Sequence, residues 1–99
     1  MGIEITFRHT DELGQGTKEF AQGLADALKA EFPPIENVHL TVTKEGAQFY
    51  ANLSIQGGRG MNAESEDRNA DGRTSIGKAF EHAERQLRKH VEKLHDHRV

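Results

Sequence analysis

The chain of 99 residues has no cysteine. That excludes a disulfide framework and any zinc site built on thiolates, and nothing in it asks for an oxidising compartment. It also has no apolar run near the ~20 residues of a membrane span, and no charged-then-apolar pattern at its start. The cytosol is therefore the expected compartment, and no membrane partner is expected. Motifs for chemistry are missing as well. There is no Gly-x-x-x-x-Gly-Lys phosphate loop, no Gly-x-Ser-x-Gly elbow and no His-Glu-x-x-His pair. Carboxylates are plentiful, but none falls in an apolar pattern where burial would raise its pKa for acid work. The expectation is a protein that is not an enzyme, takes no cofactor and has no small-molecule substrate.

An excess of positive charge is also lacking. Thirteen Lys and Arg stand against sixteen Asp and Glu, a net charge of −3, which argues against a protein that coats nucleic acid broadly. The average conceals a partition. From Lys78 onward six bases face four acids, +2, whereas the preceding part has seven against twelve, −5. Any nucleic-acid contact must be local. A chain of this length buries only roughly 60 to 70% of its unfolded surface, so one small core is the limit, and residues 1–99 are expected to form a single domain.

What is present is periodicity. Ile3, Ile5 and Phe7 alternate with Glu4, Thr6 and Arg8, the period of a strand with one buried face, over about Ile3 to Arg8. After Gly14-Gln15-Gly16, residues Phe20, Leu24, Ala27 and Leu28 repeat at helical spacing until Phe32-Pro33-Pro34 stops the helix. Val38, Leu40 and Val42 alternate, then Phe49, Ala51, Leu53 and Ile55, with Glu45-Gly46 between them, which reads as a hairpin. Gly57-Gly58-Arg59-Gly60 turns the chain. It superficially resembles an anion cradle, but a strand follows it, so the helix dipole that would hold a phosphate is missing. Met61, Ala63 and Ser65 make a weaker fourth strand, and Glu64 to Arg73 is expected to be a mobile loop. Thr74 to His97 forms a second helix with an apolar stripe of Ile76, Phe80, Ala83, Leu87, Val91 and Leu94.

The order is βαβββα, an α+β fold. Two helices would shelter on one face of a four-stranded mixed sheet, the first two strands parallel if adjacent. The other face would be wet and would carry Glu4, Thr6, Arg8, His39, Thr41, Thr43, Tyr50, Asn52, Ser54, Asn62, Glu64 and Glu66.

Two basic groups are candidates for binding. Arg85, Arg88, Lys89 and Lys93 project from the second helix, and Arg and Lys suit RNA because phosphates repeat along it. Arg8 and His9 end the first strand. The alternative for both is an ordinary solvated surface, since Glu81 and Glu84 precede Arg85 and Arg88 by four residues. Six histidines raise a metal site, but His82, His90, His95 and His97 include no i,i+4 pair on the helix, so no metal is expected.

The runs Arg85-Gln86-Leu87-Arg88-Lys89-His90-Val91-Glu92-Lys93-Leu94, Ile5-Thr6-Phe7-Arg8-His9 and Ile35-Glu36-Asn37-Val38-His39-Leu40 resemble the short ribosome hibernation factors. That family is also called ribosome-associated inhibitor A or sigma-54 modulation protein. The resemblance covers nearly the whole chain. It implies the same βαβββα architecture, similar to double-stranded-RNA-binding domains with an added first strand. It further implies that Arg8, His9, Arg85, Arg88, Lys89 and Lys93 lie along ribosomal RNA of the small subunit, in the channel of messenger and transfer RNA. Translation would be silenced by occupancy. The chain departs from the family in having Ala25-Asp26-Ala27 where relatives carry more bases, Val91 where they often carry lysine, and added acid at Glu64-Ser65-Glu66-Asp67. A protein-interaction module of the same fold with a decayed RNA surface is the alternative.

Overall fold

A computed structural model describes residues 2–10 and 12–96, with side chains through Lys93. The elements run β1 (Gly2–Arg8), α1 (Gln15–Glu31), β2 (Ile35–Glu45), β3 (Gln48–Gly57), β4 (Ala63–Asn69) and α2 (Gly72–Asp96). His97, expected in the second helix, and the side chain of Leu94, expected in its stripe, lie outside the described residues.

The strands form one sheet in the order β1-β2-β3-β4. β1 and β2 are parallel, with Ile5 opposite Leu40, because the chain returns through α1 before re-entering the sheet. The other pairs are antiparallel. Alternation decides which face is covered. Val38, Leu40, Val42, Phe49, Ala51, Leu53, Ile55 and Ala63 are buried beneath the helices, whose stripes of Ala21, Ala25, Leu28 and Phe32, and of Ile76, Phe80, Ala83 and Leu87, are buried against them. The opposite face is polar, as the alternation requires, with Glu4, Arg8, His39, Asn52, Glu64 and Glu66 exposed. Arg68 joins them there.

Pro33-Pro34 delivers the chain into β2, and Gly57 crosses close to that entry. A Cβ at Gly57 would stand 2.5 Å from the Pro34 carbonyl oxygen and 2.7 Å from Ile35 Cα, so only glycine fits.

One expectation fails. Residues 64–73 are not a mobile loop: Ala63–Asn69 pairs with β3 along its whole length. Its inward residues are Ala63, Ser65 and Asp67, too small or too polar to mark an apolar face, and hydrogen bonds replace apolar contact. Ser65 Oγ donates to the Ala79 carbonyl at 2.6 Å, and the fully buried Ser75 Oγ donates to the Asp67 carbonyl at 2.7 Å. The rest of the segment starts α2. Asp71 Oδ2 accepts from the Thr74 N–H at 2.9 Å and from its hydroxyl at 2.7 Å, an N-cap that satisfies an orphan donor of the first turn. The Thr74 hydroxyl and N–H hold the Asp71 carboxyl below the usual carboxylate range.

Candidate nucleic-acid interface

At 100° per residue the exposed surface of α2 divides into two flanks. Lys78, His82, Arg85, Lys89 and Lys93 follow at steps of four, three, four and four, all exposed, within a sector of about 80°. Fifteen residues separate the first from the last, which spans roughly 22 Å of helix. Lys78, Lys89 and Lys93 make no ion pair among the described residues. Arg85 has one, with Glu81 at 3.3 Å, and both side chains are more than half exposed, so the pair is weak.

The other flank faces α1 and is acidic. Glu81 and Glu84 border a groove floored by Leu24, Leu28, Gly77 and Phe80, with Glu31 on its far rim. Arg88 bridges the helices there, its Nη2 donating to Glu31 at 2.6 Å and to Glu84 at 2.8 Å. Two carboxylates thus share one guanidinium. The hydrogen bond from Arg88 holds Glu84 below the ordinary carboxylate range. Glu31 is pushed up, by partial desolvation between the helices and by facing Glu84, which together outweigh Arg88. Arg88 itself holds its proton more firmly than a free guanidinium, through Glu84 first and Glu31 second.

The structure therefore separates the six residues singled out in the sequence. Arg85, Lys89 and Lys93 share the outer flank. Arg88 points to the inner one, its charge already shared between two acids. Arg8 and His9 lie at the far end of the sheet, because Arg8 pairs with Thr43 near the Glu45–Gln48 turn. The later turns of α2 reach the opposite end, where His90 Nε2 meets the Arg59 carbonyl at 2.8 Å. That contact holds the Gly57–Gly60 turn, in which Arg59 adopts a positive φ of 58°. His9 is also left-handed, with φ 57°. Across the sheet from Arg8 follow Thr43, Tyr50 and Arg68. The Arg68 guanidinium stacks 4.6 Å from the Tyr50 ring centre and pairs with Glu45 at 2.5 Å. The Tyr50 hydroxyl donates to Glu66, which raises its pKa.

Sequence reasoning missed Lys78 and His82. The signal was present, since both continue the four-three-four spacing of Arg85 and Lys89. The Arg88–Glu31 tie, 57 residues apart, had no local signal. Among the described residues no group of His, Asp or Glu is placed to hold a metal ion, and no described helix is long and apolar enough to cross a membrane.

Among solved structures, the chain is similar to a ribosomal subunit interface protein from Coxiella burnetii, at 15% identity and a TM-score of 0.81 over 93% of this chain and 99% of that one. It is also similar to the N-terminal domain of Thermus thermophilus Protein Y, at 17% identity and 0.75 over 90% and 98%. At such identities these likenesses establish the fold. No curated protein matches the chain. The family model described as sigma 54 modulation protein / S30EA ribosomal protein matches residues 3–95. With a match over that span, the chain belongs to the sigma-54 modulation protein / S30EA ribosomal protein family.

Proposed function

We propose that the protein is a non-enzymatic, ribosome-associated inhibitor of translation. It binds small-subunit ribosomal RNA in the channel of messenger and transfer RNA, and silences translation reversibly under stress or in stationary phase. The observation that carries this reading is the outer flank of α2. Lys78, Arg85, Lys89 and Lys93 offer four cations over roughly 22 Å, the first two about two helical turns apart and the rest about one, which suits the repeat of phosphates along RNA. Family membership and the likeness to a ribosomal subunit interface protein point to the same partner. The action needs occupancy and no bond chemistry, and it belongs in the cytoplasm, where ribosomes are. Arg8 and His9 add a second, separate contact near the other end of the sheet. Arg88 serves mainly to tie the helices.

The test is co-sedimentation with separated ribosomal subunits. The native chain should pellet with the small subunit, Lys89→Glu with Lys93→Glu should stay in the supernatant, and Arg88→Gln should still pellet. Equal pelleting of the native chain and the double reversal would remove the outer flank from the account. The acidic groove between α1 and α2 favours one other reading, a protein-interaction module. A native chain that pellets with neither subunit at low salt would select it.

A further inference from the structure

The two edges of the sheet are treated differently. On β4, the Gln86 side chain accepts from the Glu64 N–H at 3.2 Å and donates to the Glu64 carbonyl at 2.7 Å. At Glu64 a helix side chain thus occupies the place of a further strand and covers the start of that edge. On β1, no backbone or side-chain group among the described residues bonds to the outward N–H and C=O groups of Gly2–Arg8. Every other residue of this edge therefore presents a donor and an acceptor to solvent, the arrangement that recruits another strand.

The side chains of β1 say which strand fits. Ile3, Ile5 and Phe7 are only half-buried, although they pack against the core. On the opposite face stand Glu4 and Arg8, four residues apart and exposed. Antiparallel pairing of β1 with an identical β1, centred on Thr6, places Glu4 opposite Arg8 and Arg8 opposite Glu4. It also places Ile5 opposite Phe7 twice. Both faces are then complementary at once, since residues directly opposite in an antiparallel pair share a face. The operation is a two-fold rotation, so the contact closes on itself at two copies. Glu4 already meets His39 Nε2 at 3.0 Å, and a carboxylate has room for a second donor.

We propose that the β1 edge is a self-association surface, through which two copies of this chain join into one continuous eight-stranded sheet with all four helices on the same face. The contact is small and therefore weak, in the range of roughly 10 µM to 1 mM expected of limited interfaces. The proposal does not depend on ribosome binding.

Sedimentation equilibrium of the full chain over that concentration range tests it. The native mass should rise from one copy towards two. Glu4→Arg sets two arginines against each other at both contacts, and Arg8→Glu sets two glutamates against each other, so each variant alone should stay a single copy, with association at least ~10-fold weaker. Mixed in equal amounts, the two variants regain an opposite-charge pair at both contacts, because the first carries base at positions 4 and 8 and the second carries acid at both. The mass should then rise again. That recovery requires both variants to be folded. A native chain that stays a single copy to ~1 mM, or a mixture that stays a single copy when the native chain associates, would overturn the proposal.

Discussion

Both flanks of α2 carry cations, yet those of one face solvent and that of the other is already paired. On the outer flank Lys78, Lys89 and Lys93 carry no acid within pairing distance among the described residues. On the inner flank Arg88 is held by Glu31 and Glu84. Counting bases along the helix treats these positions alike. What separates them is the direction each side chain leaves the helix, and hence whether α1 stands in front of it. A cation facing a neighbouring helix is used to join elements; one facing solvent is left for a partner.

Neutralising the outer flank should have the largest effect. Lys78→Gln, Arg85→Gln, Lys89→Gln and Lys93→Gln together should weaken small-subunit binding by roughly 100-fold or more at moderate salt, as the loss of four phosphate contacts demands. The melting curve should barely move, because these are exposed positions with at most one weak pair. A large loss of stability would show that the flank is structural.

Breaking the inner flank should do the reverse. Arg88→Gln leaves Glu31 and Glu84 facing each other and should lower Tm at neutral pH by about 2–5 °C, with binding changed less than about threefold. The sign follows from the two carboxyls. Glu84, held low, contributes stability above its unfolded pKa and loses it as pH falls through the lowered folded value. Glu31, pushed up, is favourable only when protonated and opposes folding once pH rises through its raised value. Without Arg88 both oppose folding at neutral pH. The deficit of the variant should therefore shrink as pH falls through the lowered value of Glu84, below which both carboxyls are protonated. A deficit independent of pH would argue against the shared guanidinium.

The cap that starts the helix bears on both flanks. Asp71→Ala should lower Tm by about 4–8 °C, and more at pH 7 than at pH 3, since the lowered carboxyl pKa means that the contribution is lost as acid is added. The smallest effect is a gain. Glu81→Gln releases Arg85 from its one ion pair among the described residues and should tighten small-subunit binding about twofold.

Most of the fold was legible because β1, β2 and β3 place apolar side chains at every second position, buried in β2 and β3 and half-buried in β1. β4 was not, because its inward residues are Ala63, Ser65 and Asp67, whose contacts with α2 are made by the hydroxyls of Ser65 and Ser75. The start of α2 was obscured for a related reason. Gly72 reads as a breaker, but it is buried where a Cβ would meet Leu13 Cδ2 at 2.4 Å. In the candidate interface the outer stripe was readable by spacing alone. The removal of Arg88 from it was not, because it depends on Glu31 being brought across from α1. Nor did sequence place Arg8 and His9 apart from the helix bases; the register of β1 against β2 does that.

The most direct test of the outer flank as an RNA surface is the salt dependence of small-subunit binding. With the four cations of this flank and Arg8 engaged, log affinity should fall against log salt with a slope of roughly −3.5 to −4.5, and Lys89→Gln should make it shallower by nearly one while Arg88→Gln leaves it in place. A slope near zero, or one that Arg88→Gln flattens as much as Lys89→Gln does, would contradict the division of α2 into a binding flank and a bracing flank.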